Sequence, residues 1–436
     1  MTALTLVCIV FTVFIALLVL GMAIPFAIGI PAAVYLVLYG GLPALKGLGL
    51  MSWGSLNSFT LTAIPLFILM AEIIQRGGLS QQTYRGLANL VARFPGGLLQ
   101  TNIASCAVFA AVNGSSVATA ATIGSVAIPE LKRRGYSQRL SLGSLAAGGT
   151  LGILIPPSII MIVYASFTET SVAKLFMAGV VPGLLLTAMF MTYIALHAIV
   201  RPRDISEKPI ERTPVLFLRS MGDLLPFAGL IFGTMGMLYF GWATPTEAAA
   251  LGCLLSIVFS RIWGTLSWST LREALRNTVR IVGGMLFLVY AAFIFAYAIS
   301  VAGAGEQLTS FVVGLKLSKA DLIIALFVLY LVLGCLVEGL GMIVITVPLL
   351  YPVLVSYGID LVWFGILLVV FVEAGQITPP IGINLFVIHS VSKADFSDIL
   401  IGTIPFLICM LVLLVLLVQF PSLALWLPEQ MFGPSR

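Results

Sequence analysis

The sequence predicts an all-α polytopic membrane protein built as an inverted-topology repeat, with two re-entrant hairpins and two broken helices. Three observations predict it: an extreme apolar composition, a self-match of Gly and Pro at a fixed spacing, and a one-sided distribution of Lys and Arg. Of 436 residues, 60% are hydrophobic and only 9% charged, and the mean hydropathy is +1.14. A soluble domain carries about 25% charged residues. No soluble fold hides this much apolar surface, so lipid is the main solvent.

A membrane helix needs about 20 mostly apolar residues, which leaves room for roughly ten spans. Apolar runs place spans at 4–20, 24–42, 57–75, 141–165, 176–198, 221–241, 244–260, 281–301, 361–391 and 399–420. Met1 to Leu20 lacks the basic start of a signal peptide, and a second apolar run follows at once, so Leu4 to Leu20 is read as the first span. The stretches 97–131 and 322–352 are also apolar but carry Gly, Pro and polar residues in their middles. The five Cys are scattered through apolar segments without paired spacing and read as small buried hydrophobes. Trp53, Trp242, Trp363 and Trp426 fall near span ends, where aromatic rings anchor a helix in the interface.

Orientation follows from Lys and Arg, which favour cytoplasmic loops. Four clusters stand out: Arg76, Arg85 and Arg93; Lys132, Arg133, Arg134 and Arg139; Arg201, Arg203, Lys208, Arg212 and Arg219; and Arg261, Arg272, Arg276 and Arg280. Placing all four, with Lys393, in the cytoplasm leaves only Lys46, Lys174, Lys316, Lys319 and Arg436 elsewhere. The net charge of +5 is thus a topology signal and implies no nucleic-acid partner. Because the first two clusters share a side, 97–131 must enter the membrane and return. It is too short for two full spans and fits a re-entrant hairpin with its tip at Val112–Ser116.

The self-match has an offset of 223 residues (Pro129 to Pro352). At that offset Gly135 meets Gly358, Gly152 meets Gly375, Pro156-Pro157 meets Pro379-Pro380, Gly179 meets Gly402 and Pro182 meets Pro405. Gly and Pro fix backbone geometry, so their coincidence reports a shared fold and not merely shared greasiness. The second hairpin is then 322–352, with its tip near Glu338-Gly339-Leu340-Gly341. The loop after the first hairpin is basic, whereas Val355 to Leu361 has no basic residue, so the hairpins open to opposite sides. The halves are 1–200, with hairpin 97–131 and broken span 141–165, and 221–436, with hairpin 322–352 and broken span 361–391. A polar connector at 201–220 joins them.

The broken spans carry Gly148–Ser158 and Glu373–Asn384. Paired prolines remove two backbone donors and push the preceding residue out of the helix, freeing carbonyls at membrane depth. Such carbonyls need another helix, water or a cation, and broken helices of this kind hold Na⁺ and substrate anions. Candidate Na⁺ ligands are Gly114, Ser115, Ser116, Thr119, Thr150 and Pro156 in the first half, and Gly339, Gly341, Gln376, Thr378 and Pro379 in the second; Thr346 offers a further hydroxyl. A substrate carboxylate is expected between Asn113–Ser116 and Gly339–Gly341, with Asn384 nearby. Acids inside membrane spans default to functional roles, which places Glu338 and Glu373 near the path. Glu72, four residues before Arg76 near a span end, reads as a surface ion pair. No P-loop, nucleophile elbow, metal cluster or His-based acid/base set is visible, so neither ATP-driven transport nor an enzyme is expected, and no cofactor beyond Na⁺ as coupling ion.

The segments AVNGSSVATAATIGSVAIPELKRRGYS, GGTLGILIPPSIIMIVYA and GQITPPIGINLFV resemble the large membrane (M, DctM-like) subunit of tripartite ATP-independent periplasmic (TRAP) transporters, over essentially the whole chain. The resemblance implies an elevator-type mover of the ion-transporter superfamily in a bacterial or archaeal inner membrane. It implies Na⁺-coupled uptake of an organic acid, such as a C4-dicarboxylate, a sialic acid or another sugar acid. A soluble periplasmic binding protein would deliver the acid, and a separate four-helix (Q) membrane subunit would brace the scaffold. The Na⁺ sites would fall at the hairpin tips and breaks, and both termini are expected in the periplasm. The competing reading is a stand-alone Na⁺-coupled dicarboxylate symporter or antiporter of the same superfamily, which needs no binding protein.

Overall fold

The computed structural model describes residues 3–91, 93–205 and 214–433. Lys208 and Arg212 of the connector, and Arg436, lie outside the described residues. Among the described residues there is no strand, and eight helices are long and apolar enough to cross a membrane.

The first half begins with α1 (Ala3–Val19) and α2 (Ile24–Leu56). The latter is longer than the expected 24–42 because a kink at Gly41 (φ 64°) turns the chain without ending the helix. Next come α3 (Phe59–Arg76) and α4 (Leu79–Val91), then the hairpin pair α5 (Leu98–Asn113) and α6 (Ser116–Arg134). The first broken span is α7 (Gln138–Leu154) and α8 (Ile159–Thr168), and α9 (Val172–Val200) closes the half. The second half opens with α10 (Pro214–Ile231), which passes through a π-turn at Phe232–Gly236 into α11 (Met237–Tyr239), then α12 (Pro245–Ile262). There follow α13 (Trp268–Val301), α14 (Ala304–Gly314), the hairpin pair α15 (Lys319–Gly334) and α16 (Gly339–Ser356), and the broken span α17 (Leu361–Gln376) and α18 (Ile383–Ser392). The chain ends in α19 (Phe396–Gln419) and α20 (Ser422–Phe432).

Each break follows its sequence. Ile155 leaves the helical region ahead of Pro156, Ser158 caps α8 by accepting from the Met161 amide, and Gly382 starts α18 from the left-handed region. The Pro156–Pro157 and Pro379–Pro380 bonds are both cis.

The broken spans form the centre. Every residue of α7 from Leu140 to Leu154 is buried, as is every residue of α17 from Phe364 to Gln376. In Gln138–Thr168, 94% of the most apolar stretch is buried, against 33% in α12. The exposed stripe Leu254, Val258 and Ile262 on α12 therefore suits lipid, and α7 faces protein all round. Around the centre α2 packs on α13 and α3 on α12, while α5 and α6 both pack on α7. Packing is crosswise between halves: α6 lies on α18, and α16 lies on α8. Each hairpin thus covers the far limb of the opposite break. The chain is an all-α membrane protein whose two halves each carry a hairpin pair followed by a broken span.

Two sequence expectations need correction. The second tip is Cys335–Glu338, three residues earlier than expected, because α16 already starts at Gly339. Glu72 is paired with Arg76 (2.8 Å) as expected, but it is buried; its second oxygen accepts from Asn277 on α13 at 2.7 Å. It therefore ties α3 to α13 rather than decorating a surface. Among the cysteines, Cys106 and Cys253 are buried, whereas Cys335 and Cys409 are half-buried.

Candidate functional site

Each hairpin tip rests on the break of its own half. Gly114 adopts the left-handed conformation (φ 62°), and its carbonyl accepts from the Ile159 amide at 3.5 Å. Ser115 then caps α6 by accepting from the Ala118 amide. In the second half the Cys335 thiol donates to the Pro379 carbonyl at 3.3 Å.

The matched glycines Gly152 and Gly375 do the same work in both halves. A methyl group at Gly152 would lie 2.6 Å from the Ser115 carbonyl oxygen. One at Gly375 would lie 2.9 Å from the Tyr330 carbonyl oxygen and 3.0 Å from Gly334 Cα. Only glycine lets each tip settle on its broken helix.

The halves meet at Ser116 and Gln376. The Ser116 hydroxyl donates to the Gln376 Oε1 at 2.8 Å. Gly339 sits against the same amide, since a methyl there would lie 2.5 Å from Gln376 Nε2 and 3.0 Å from Ile160 Cδ1. Around this junction lies a cavity of about 30 Å³, lined among others by Gly114, Ser115, Ser116, Glu338, Gly339 and Gln376. One water needs about 10–15 Å³. The space holds about two waters.

Several buried polar atoms of the hairpins and broken helices have no well-aligned partner among the described residues. Glu373 is 1% exposed and lies one helical turn before Gln376, and the Ser116 hydroxyl approaches its carboxyl group without forming a well-aligned hydrogen bond. Asn384 is 0% exposed with both amide atoms unpaired, and Asn113 Nδ2 and Thr119 Oγ1 are likewise buried and unpaired. Leaving such groups unmet costs about 1–3 kcal/mol each, more for a charge. Among the described residues no group of three or more His, Cys, Asp and Glu gathers. The unpaired oxygens of Glu373, Asn384 and Thr119 are the kind a hard cation takes, whereas the Asn113 and Asn384 amide nitrogens can only donate to an acceptor.

Other expected residues are placed elsewhere or differently. The Thr150 hydroxyl donates back to Ala147 O at 2.6 Å and faces Met410 of α19, away from the hairpins. Gly341 faces Val337 and Ile24, and Thr346 bonds Tyr330. Neither lines the cavity. Thr378 donates to Ala374 O at 2.6 Å and keeps its lone pairs free. Pro156 is buried, whereas Pro379 and Pro380 are exposed, so the two breaks are not equally covered. Sequence reading missed Cys335, Ile160 and the Gly334–Gly375 contact. The only signal for the last was that Gly375 repeats Gly152.

A family model described as the tripartite ATP-independent periplasmic transporter, DctM component, matches residues 11–423. The C4-dicarboxylate TRAP transporter large permease protein DctM of Pseudomonas aeruginosa is 33% identical, covering 92% of this chain and 94% of that one. The ectoine TRAP transporter large permease protein TeaC of Halomonas elongata is 30% identical, covering 91% and 93%. In fold, the chain resembles the YdaH transporter of Alcanivorax borkumensis with a TM-score of 0.64 at 15% identity, over 90% of this chain and 91% of that one. With a family match over nearly its whole length and relatives at this identity, the chain belongs to the DctM component family, the large permeases of TRAP transporters.

Proposed function

We propose that the chain is the translocating subunit of a Na⁺-coupled importer that receives an organic acid from a periplasmic substrate-binding protein. The observation that carries this reading is the Glu373 carboxylate. It is buried, has no basic partner among the described residues and lies beside Ser116 and Gln376, where the two halves meet. A buried carboxylate without a counter-charge costs several kcal/mol. A bound Na⁺ offsets that cost, and the Thr119 and Asn384 oxygens and the Thr378 hydroxyl are the further ligands we assign to it.

Na⁺ orders the hairpin tips, and the substrate carboxylate then binds between Asn113–Ser116 and the start of α16 at Gly339. Ser115 and Ser116 hydroxyls and the amides opening α6 supply donors to the anion. The core of both hairpins and both breaks then moves as a unit against α2, α3, α12 and α13. The extensive buried packing around α7 and α17 favours rigid-body motion over deformation. A small four-helix membrane subunit braces the scaffold, in a bacterial inner membrane with both termini periplasmic. The C4-dicarboxylate relative supports the carboxylate assignment.

The test is uptake of labelled organic acid into proteoliposomes holding this chain and its small subunit. Uptake that needs both an inward Na⁺ gradient and the binding protein supports the proposal. Uptake without the binding protein favours a stand-alone symporter, and uptake indifferent to Na⁺ removes the ion sites.

A further inference from the structure

A second polar cavity lies at the other end of the core. It measures about 320 Å³ and sits between the α6–α7 turn of the first half and the α18–α19 turn of the second. Lys132, Tyr136, Gln138 and Ser141 line it from one side, and Lys393 and Asp395 from the other. It shares no lining residue with the cavity at the hairpin tips. The Arg and Lys distribution puts this end in the cytoplasm.

We propose that this cavity is a cytoplasmic binding site for a small anion bearing phosphate or carboxylate groups. None of the ion pairs among the described residues uses Lys132 or Lys393, so two lysines from opposite halves line one space without a salt bridge of their own. Asp395 is the only acid in the lining, which leaves the site net positive. Ser141 is buried at 5% exposure, and its hydroxyl has no hydrogen-bond partner. The Tyr136 hydroxyl accepts from the Leu98 amide at 3.1 Å, which leaves its own proton to donate. Gln138 and Ser141 belong to the first turn of α7, where the helix dipole favours negative charge. The volume falls at the lower end of small-molecule pockets, about 300 Å³ and upwards. A free cytoplasmic anion and the headgroup of an anionic lipid share this chemistry.

The test is calorimetric titration of inorganic phosphate into the full chain, in nanodiscs of pure phosphatidylcholine and of an equal mixture with phosphatidylglycerol. Wild type is expected to bind with a Kd at or below about 1 mM in phosphatidylcholine. The double variant Lys132→Ala/Lys393→Ala should weaken binding at least about ten-fold, while Lys132→Arg/Lys393→Arg retains it. Gly284→Ala, on α13 and lining neither cavity, should leave phosphate binding unchanged. Loss of phosphate binding in the phosphatidylglycerol mixture, with the lysine dependence intact in phosphatidylcholine, identifies a lipid headgroup as the occupant. Equal binding in both bilayers identifies a free anion. No binding to wild type, or equal binding by the double Ala variant, overturns the proposal.

Discussion

The Ser116 hydroxyl in the first hairpin donates to the Gln376 side chain in the second broken helix at 2.8 Å, joining the two halves of the repeat at the central cavity. A buried hydrogen bond of this kind is worth about 1 kcal/mol net. In a double-mutant cycle of Ser116→Ala and Gln376→Ala, measured by thermal unfolding, the two changes should couple by about 0.5–1.5 kcal/mol. Strictly additive effects would show that the residues do not interact.

Gly152 and Gly375 should tolerate no side chain. Gly152→Ala and Gly375→Ala each force a methyl onto backbone of the facing hairpin and should cost about 1–3 kcal/mol by overpacking. Gly284→Ala is the control: nothing lies within 4 Å of the added carbon, and the site is inside α13. There the change should be neutral or stabilise by up to about 1 kcal/mol. Unfolding curves in detergent decide this, and equal effects at all three positions would refute the seating role.

Glu373→Gln keeps the shape and removes the charge. If Glu373 supplies the counter-charge for Na⁺, the Na⁺ concentration for half-maximal uptake should rise at least about ten-fold, the loss of one strong charge-assisted contact. Ser115→Ala and Thr378→Ala should raise it too. The Thr378 donation to Ala374 orients the side chain and leaves its oxygen available to a cation. A Na⁺ dependence unmoved in all three variants would remove the ion from this site.

Glu72 makes the case for reading partners as well as positions. Replacing Glu72 by Ala strips the Arg76 guanidinium and the Asn277 amide of their shared acceptor. The loss should be about 1–3 kcal/mol of stability. Asn277→Ala should cost less, because Glu72 keeps Arg76. Equal melting of Glu72→Ala and wild type would return Glu72 to a surface role.

Much of the architecture was legible because Gly and Pro act on backbone within one or two residues of themselves. Gly152, Gly375 and the two Pro-Pro pairs announced both breaks, and the Asn113–Ser116 run announced the first tip. The second tip was harder. Gly339 and Gly341 looked like loop residues, yet Gly339 opens α16 and Gly341 continues it, because helix interiors at membrane depth accept glycine where a neighbour packs closely. The polar side chains were legible by type but not by direction. Thr150 and Ser116 both carry hydroxyls on central helices, but Thr150 faces α19 and Ser116 faces Gln376. That difference is set by which way each helix turns, and a linear pattern does not encode it. Glu72 erred the opposite way: its partner at i+4 was plain, whereas Asn277, some two hundred residues away, was not.

The central claim is that ion and substrate meet where Ser116 and Gln376 join the halves. Its most direct test is Na⁺-gradient-driven uptake of a labelled C4-dicarboxylate, with the binding protein present, comparing wild type with Glu373→Gln at matched protein levels. The account predicts Na⁺-dependent uptake by wild type and a marked loss of Na⁺ response in the variant. Uptake by both with the same Na⁺ dependence would contradict it.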